Sequence, residues 1–298
     1  MEIRQLEYFV AAADSGSITR AAHLCGVAQP SLSQQIHRLE GSLGETLFDR
    51  LGRGVVLTDA GRALLPRARR ILAEVRDATA HVRDDIEAGE GEFRVGAIPT
   101  MAPYLLPRAI SVIRTEFPRA EVTVREDLTE RLVQAVADGE IDCAVASSPI
   151  HHEQVAAEVV GDEPMVVVAA AGHPIARASP VSLAALRDLP TVTLHEVHCL
   201  GQQIAGFCEA RRLGRSVVCR ATQISTALGF VSMGMGVSIV PRMAARADQQ
   251  ARSGRVYLEF KGAPPRREIT IVRRVGRSPS RVLDRFSALI REALTQPD

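Results

Sequence analysis

The chain has 298 residues, of which 46% are hydrophobic and 24% are charged, so its length predicts two or three domains with separate cores. Its formal net charge of +1 excludes nucleic-acid binding through overall basic character, so such binding would depend on local placement of basic side chains. Because there is no secretory signal or membrane-spanning apolar run, and the five cysteines are scattered, we expect a cytoplasmic protein with mostly reduced thiols.

The first forty residues predict three short helices. Apolar residues recur at helical spacing from Ile3 to Ala13 and from Ile18 to Leu24, and a turn containing Gly26 precedes a third helix with a buried leucine–isoleucine face. Its other face carries polar side chains that can bind base edges and phosphates. These DNA-binding candidates are Gln29, Pro30, Ser31, Ser33, Gln34 and Arg38. Two helices joined by a short glycine-containing turn are typical of a helix-turn-helix.

Two short extended segments then predict a hairpin around Gly54, with Arg50 and Arg53 beside its tip. In a winged helix-turn-helix this wing lies along the DNA backbone; a solvated arginine turn is the alternative. A long helix with a sustained apolar stripe follows, from Ala60 to about residue 88, and Pro66 lies near its start. Such a helix between two domains is typical of a dimerising stalk.

Extended and helical patterns alternate from Phe93 to the end of the chain. This alternation predicts an α/β domain with a largely parallel sheet. It has enough units for two lobes, with a ligand cleft at the carboxyl ends of strands. We therefore divide the chain into a DNA-binding domain (1–58), a linker and dimerisation helix (59–89) and a regulatory domain (90–298).

Two cysteines in the second half occur on one predicted helix. The pattern predicts a helix from Leu200 to Arg212, with Cys199 at its start and Cys208 inside it. Nine helical residues separate two positions by roughly 13 Å along the axis, whereas a disulfide needs Cα atoms within about 7 Å. If these two cysteines bond, the helix must open, and oxidation becomes a conformational switch. A helix N-terminus also favours the thiolate form that reacts.

The first ninety residues resemble the LysR-type bacterial transcription regulators. The carrying residues are Arg4-Gln5-Leu6, Phe9, Gly16-Ser17, Ala21-Ala22, Gln29-Pro30-Ser31-Leu32-Ser33, Ile36, Leu39-Glu40, Leu43-Gly44, Leu47-Phe48, Arg50 and Leu57-Thr58-Asp59-Ala60-Gly61. The resemblance implies a winged helix-turn-helix, a linker helix and a two-lobed effector domain of the periplasmic-binding-protein type. It also implies a homo-oligomer, usually a tetramer, that binds double-stranded promoter DNA, with RNA polymerase as a further candidate partner.

The second half is similar to the branch of that family that senses hydrogen peroxide. The carrying residues are His198-Cys199-Leu200, Gln203, Gly206-Phe207-Cys208, Ile98-Pro99-Thr100, Pro103-Tyr104-Leu105-Leu106-Pro107, Asp142-Cys143, Asp162-Glu163-Pro164-Met165 and Pro265-Arg266-Arg267. The resemblance implies that peroxide oxidises Cys199, that a reversible Cys199–Cys208 disulfide forms, and that oxidative-stress genes respond. Its implied supporting residues are Thr100, Thr129, His198, Gln203 and Arg266. It implies no metal, no cofactor and no enzymatic role.

Other hypotheses remain open at this level. A regulator of the same architecture could bind a small organic anion in the cleft, and its cysteines would then be structural. Two alternatives from other functional classes are a thiol peroxidase and a solute-binding protein. Thr100 and Thr129 also fit helix caps or turns, and small buried hydrophobes are the expected role of Cys25, Cys143 and Cys219. The sequence departs from the peroxide-sensing pattern at Gly201, Gln202, Val218 and Cys219.

Overall fold

The computed structural model describes residues 1–51, 54–82, 91–211, 216–249, 254–276 and 280–295. The chain divides into two compact units, the first mostly N-terminal and the second mostly from residue 91 onward. Among the residues described, no helix is both long enough and apolar enough to cross a membrane.

The N-terminal unit contains a three-helix group, a hairpin and a long helix. Its elements are α1 (Ile3–Ser15), α2 (Ile18–Leu24), α3 (Gln29–Leu43), β1 (Phe48–Leu51), β2 (Gly54–Leu57) and α4 (Asp59–Val82). The helix ends follow local chemistry, because Gly16 and Gly44 close α1 and α3 in the left-handed conformation. The Ser17 side chain caps α2 by accepting a hydrogen bond from the backbone N–H of Arg20.

Two apolar clusters form the core of this unit. The first joins α1, α2 and α3 through Tyr8, Ala12, Ala21, Ala22, Leu32 and Ile36. The second joins α1, the end of α3 and α4 through Leu6, Phe9, Leu39, Leu47 and Ala68. Half-buried residues of α4, including Leu64 and Leu72, pack on the second cluster. The first part of α4 therefore helps to hold the helix-turn-helix, while its predicted extension over 83–88 lies outside the described residues.

The C-terminal unit has two lobes. One long strand carries the chain from the first lobe into the second, and a later strand runs back beside it in the first lobe. Its elements are β3 (Gly91–Ala97), α5 (Ala102–Glu116), β4 (Ala120–Glu126), α6 (Thr129–Ala137), β5 (Cys143–Ser147), β6 (Val155–Ala170), a 3₁₀ turn (Pro174–Arg177), α7 (Leu183–Leu186), β7 (Pro190–Leu194), α8 (Cys199–Ala210), β8 (Ser216–Ala221), α9 (Ile224–Ser232), β9 (Ser238–Pro241), α10 (Arg242–Gln249), β10 (Arg255–Leu258), β11 (Arg266–Arg274) and α11 (Arg281–Thr295).

The main sheet is mixed, so the prediction of a largely parallel sheet is wrong. Its order is β10-β6-β11-β5-β3-β4, with β9 also paired to β6. Strand β3 is parallel to β4 and β5, whereas β11 is antiparallel to both β5 and β6. The chain crosses to the second lobe within β6 and returns along β11, and this return places the two strands side by side in opposite directions.

Strand β6 links the lobes because its two parts have different partners. Residues 155–164 pair with β11 in the first lobe, and residues 165–170 pair with β9 and β10 in the second. The second lobe buries one continuous apolar cluster from β6, β7, α8, α9, β9 and α10. Helix α8 belongs to that cluster, so the cysteine pair is built into the second lobe.

Candidate functional site

The carboxyl ends of β3, β4 and β5 meet at one edge of the first lobe because these three strands are parallel. Thr100 follows β3, Thr129 begins α6 just after β4, and Ser147 ends β5. The structure thus brings both predicted threonines to a common edge. A cleft at the carboxyl ends of parallel strands is where α/β sheets bind ligands.

Helix α8 of the second lobe reaches this edge through one side chain. Gln203 donates from Nε2 to Ser147 Oγ at 2.9 Å and to the carbonyl oxygen of Ser148 at 3.0 Å. Ser147 is buried and donates in turn to the carbonyl oxygen of Glu268 at 2.9 Å. We call this set of bonds the Gln203 clamp. The other amide atom, Gln203 Oε1, is buried and has no hydrogen-bond partner within the described part of the chain, so it can accept a bond from a small donor.

Thr100 is not a helix cap; it is held by a buried arginine. Arg267 is 1% exposed, and it donates to Thr100 Oγ1 at 2.9 Å and to the Thr100 carbonyl oxygen at 3.0 Å. Its Nε donates to Glu163 Oε2 at 2.8 Å. Glu163 also accepts a bond from the backbone N–H of Met243 at 2.7 Å. Because the Thr100 hydroxyl accepts from Arg267, its own proton is available to a ligand.

Arg266, the arginine predicted to support the site, does not reach this group. The prediction is corrected to Arg267, which holds Thr100. Arg266 is about half exposed and pairs with Asp162. This pair holds the pKa of Asp162 below its usual value, mainly through the arginine hydrogen bond. Arg267, the next residue, occupies the buried position instead. Successive residues on a strand point to opposite faces, so a shift of one residue exchanges a solvent-facing arginine for a buried one.

The two cysteines lie at the first and tenth positions of α8. Cys199 is half-buried, whereas Cys208 is buried beside Leu200 and Ile204 in the core of the second lobe. The two are separate thiols rather than a disulfide. Helical rise sets their Cα atoms about 13.5 Å apart along the axis, beyond the roughly 7 Å limit for a disulfide. Bonding therefore requires α8 to unwind.

His198 is the N-cap residue of α8 and is buried. Burial lowers the pKa of its imidazole, and nearby His195 acts in the same direction, while a hydrogen bond with the backbone of Thr222 opposes them. The neutral imidazole is therefore favoured. With its single N–H directed at the backbone of Thr222, neutral His198 has one ring nitrogen left that can accept a hydrogen bond near Cys199.

Steric contact with the backbone explains why position 201 is a glycine. A Cβ atom there would lie 2.5 Å from the carbonyl oxygen of His195 and 2.8 Å from that of Leu194. The first turn of α8 therefore rests directly on the end of β7, and no side chain fits. Gln202 is exposed and donates to the carbonyl oxygen of Glu196 at 2.8 Å, so it fastens the loop before the helix.

The remaining cysteines differ in burial. Cys143 is fully buried in β5, as expected. Cys25 and Cys219 are only half-buried, so the prediction of buried hydrophobes holds less well for them. Burial, with a smaller effect from Glu7, raises the pKa of the Cys25 thiol. Val218 is an exposed residue at a register shift between β7 and β8, which pairs Cys219 with Val192.

In the N-terminal unit, the polar face of α3 is available for contact. Leu32, Ile36 and Leu39 are buried on one side of the helix. Of the predicted DNA-binding residues, Gln29, Pro30, Ser31, Gln34 and Arg38 are exposed and Ser33 is half-buried. These side chains form the solvent-facing surface of the helix, as a recognition helix requires.

The predicted hairpin is present as β1 and β2. Arg50 pairs with Val55 through the backbone in this antiparallel ribbon. The side chain of Arg50 and the whole of Arg53 lie outside the described residues, so their contact with DNA stays a prediction.

Family models match both units. Residues 3–62 match the model described as "Bacterial regulatory helix-turn-helix protein, lysR family", and residues 87–295 match "LysR substrate binding domain". The chain belongs to the LysR family.

Several relatives of this LysR-family chain are hydrogen peroxide-inducible genes activators, including that of Dickeya chrysanthemi at 36% identity over 94% of this chain and 92% of that one. This chain is 36% identical over 281 residues to the DNA-binding transcriptional dual regulator OxyR of Escherichia coli K12, covering 94% of this chain and 92% of that one. Full-length OxyR from Pseudomonas aeruginosa, in a cysteine-to-aspartate variant, matches with a TM-score of 0.85 at 26% identity over 98% of this chain and 95% of that one. A hydrogen-peroxide-bound cysteine-to-serine mutant of OxyR from Corynebacterium glutamicum matches with a TM-score of 0.65 at 31% identity, over 98% and 92% of the two chains.

Two features of the site could not be identified from the sequence of this LysR-family chain. Arg267 and Glu163 form the buried pair that fixes Thr100, and the motif alone pointed to the neighbouring arginine. The serines at the end of β5 that receive Gln203 were also missed, because a serine after a buried strand is an ordinary turn residue. In the described residues there is no group of three or more histidine, cysteine or acidic side chains able to hold a metal.

Proposed function

We propose that this LysR-family transcription regulator senses hydrogen peroxide through a reversible Cys199–Cys208 disulfide and controls oxidative-stress genes from promoter DNA in the cytoplasm. The observation that supports it best is that both cysteines lie on α8, and that Gln203, between them, links this helix to the threonine edge of the first lobe by its hydrogen bond to Ser147. The full-length similarity to OxyR proteins supports the same effector.

In the first chemical step, the Cys199 thiolate attacks one oxygen of hydrogen peroxide. The S–O bond forms as the O–O bond breaks, and the leaving hydroxide takes a proton to become water. Cys199 becomes a sulfenic acid, oxidised by two electrons. In this scheme Thr100, Thr129 and Gln203 orient the peroxide, and the second ring nitrogen of neutral His198, whose N–H is directed at the backbone of Thr222, accepts a hydrogen bond.

In the second step, the Cys208 sulfur attacks the sulfenic sulfur. The S–S bond forms, the S–O bond breaks, and the hydroxyl leaves as water with the Cys208 proton. Cys208 must first leave the core of the second lobe, since helical geometry keeps the two sulfurs apart. Opening α8 removes the register that directs Gln203 to Ser147, so oxidation also releases the Gln203 clamp between the lobes.

We further propose the domain division 1–58, 59–89 and 90–298, with dimerisation through the linker helix and assembly to a tetramer. In this scheme α3 enters the major groove and the β1–β2 wing lies along the backbone. RNA polymerase is the further partner that a promoter-bound activator would contact. The apolar stripe of α4 and its 24-residue length support the dimer.

Thiol mapping by mass spectrometry tests the proposal. Reduced full-length protein is treated briefly with near-stoichiometric peroxide, alkylated and digested, and we expect a peptide cross-linked between Cys199 and Cys208. Cys199→Ser should abolish that peptide and any peroxide-dependent change in the DNA footprint, whereas Cys219→Ser should retain both. A Cys199 that stays a thiol, or a reaction only at Cys219, would contradict the proposal and direct attention to a small organic anion in the cleft.

A further inference from the structure

Interactions between residues that are close in sequence contribute little to the stability of helix α8. His198 caps its N-terminus without a side-chain hydrogen bond, and its first turn has no acidic residue. Arg211 ends it with φ −105° and ψ 9°, so the helix lacks the left-handed glycine that commonly closes a helix. Two glycines, Gly201 and Gly206, lie inside its twelve residues, and glycine is among the poorest residues for a helix interior.

Tertiary contacts hold this helix in place. Leu200 and Ile204 are buried in the core of the second lobe, and the Gln203 clamp fixes the middle of the helix. The Phe207 ring packs edge-on against Phe260 with centroids 6.1 Å apart, and the Arg211 guanidinium lies 4.2 Å above the Phe207 ring. An element with low local stability and long-range support is the kind that opens as a unit.

The two glycines have different reasons to be there. Gly201 is required by packing, since its Cβ would collide with the carbonyl oxygen of His195. Gly206 is exposed, and a Cβ built on it would meet nothing within 4 Å. Its φ does not lie in the left-handed region either. Neither packing nor backbone geometry demands glycine at this position, so its physical effect is to weaken the helix.

We propose that Gly206 determines how readily α8 opens and thereby sets the position of the dithiol–disulfide equilibrium of the sensor. This inference rests on the proposed function, because it concerns the Cys199–Cys208 couple. Opening is common to every route to the disulfide, so any residue that stabilises the closed helix favours the dithiol. Alanine at position 206 would stabilise the helix without touching either thiol or the peroxide-binding residues.

The equilibrium is measured in glutathione buffers. Two glutathione thiols reduce the Cys199–Cys208 disulfide, so the S–S bond of the protein breaks, each protein sulfur gains a hydrogen, and one glutathione disulfide forms. If glycine at position 206 makes the closed helix less stable than alanine would, Gly206→Ala should shift the equilibrium constant toward the dithiol about fivefold. For this two-electron couple, that factor corresponds to a reduction potential about 20 mV more positive.

Gly229→Ala supplies the matched control. Gly229 is also exposed, lies inside α9 of the same lobe, and has nothing within 4 Å of a built Cβ. This variant should leave the thiol equilibrium at the wild-type position. Amide hydrogen exchange in the reduced protein adds a readout that needs no disulfide: protection of the amides of α8 should rise about fivefold in Gly206→Ala and stay unchanged in Gly229→Ala.

The outcomes separate the two hypotheses. An unchanged equilibrium in Gly206→Ala, with a wild-type disulfide that forms normally, overturns the role of Gly206 and leaves the sensor mechanism intact. A wild type that forms no Cys199–Cys208 disulfide overturns the proposed function and this inference with it, even when α8 exchange differs between the variants. Equal shifts in Gly206→Ala and Gly229→Ala also overturn it, since the effect would then be general to the lobe.

Discussion

Helices α3 and α8 both carry side chains of the proposed sites, but the hydrogen bonds and ring contacts that hold them differ in sequence range. Helix α3 is closed by Gly44 in the left-handed conformation, whose N–H donates to Glu40 O at 2.9 Å. Glu40 Oε1 in turn accepts from the Leu47 N–H at 2.8 Å. These partners are close in sequence. Helix α8 depends on Ser147 and Phe260, more than fifty residues away on either side.

This difference fits the proposed roles of the two helices. A helix that reads DNA must keep its shape, and a local cap together with contacts inside the N-terminal unit preserves it. A helix that must open needs contacts whose loss is felt elsewhere, and long-range contacts between lobes supply that coupling. The predictions below perturb one side of this comparison at a time.

The largest effect should come from the long-range pair beside Thr100. Arg267→Met leaves Glu163 buried without its partner, so we expect a loss of about 3–5 kcal/mol in unfolding free energy. Arg266→Met is the matched control one residue away; its partly exposed pair with Asp162 should contribute at most about 1 kcal/mol. Urea unfolding followed by far-UV circular dichroism measures both, since the chain has no tryptophan. Equal losses in the two variants would contradict the assignment of Arg267 to the buried position.

The packing of α8 on β7 should give the next largest effect. Gly201→Ala forces a Cβ against the His195 carbonyl oxygen, so we expect about 1–3 kcal/mol of destabilisation from overpacking. The same substitution at Gly206 should have the opposite sign. The urea midpoints of the two variants decide this, and a stable Gly201→Ala protein would mean that the first turn can move away from β7.

On the other side of the comparison, substitutions on α3 and the wing should change DNA binding with little effect on stability. Gln34 is exposed, and Gln34→Ala should reduce discrimination at one base pair by about 1–3 kcal/mol. Arg50→Ala should weaken binding to all sequences and reduce the salt slope by about one. Titrations of matched operator variants at several salt concentrations separate the two. An unchanged sequence preference would remove Gln34 from base readout, and an unchanged salt slope would remove Arg50 from the backbone contacts.

The smallest effect concerns pH. Burial lowers the pKa of folded His198 below its ordinary value of 6.5. As pH falls below 6.5, the unfolded chain takes up a proton that the folded chain resists, so unfolding becomes more favourable. The stability that neutral His198 provides is complete above that pH and is lost as pH falls toward the folded pKa. His198→Asn should flatten this part of the stability–pH curve, whereas a variant of exposed His195 should retain most of it.

Local patterns made the N-terminal unit largely predictable. The helix Ile18–Leu24 matches its predicted bounds, and the hairpin and the start of α3 also agree. Their signals are short-range: turn glycines, a serine cap and apolar residues at helical spacing. The peroxide-sensing pattern likewise pointed to α8, and both cysteines are on that helix.

The errors lie where long-range pairing decides. The first half of β6 is an example: its exposed residues carry little strand pattern, and β11, a hundred residues later, supplies the pairing. The same antiparallel return made the sheet mixed.

The sequence by itself determined the helix-turn-helix, the two-cysteine helix and the alternation of strands and helices, since each depends on neighbouring residues. Only the tertiary structure decided that Arg267 rather than Arg266 holds Thr100, that Gln203 reaches Ser147, and that Gly201 has no room for a side chain. Strand facing and inter-lobe contact depend on partners that sequence spacing does not identify.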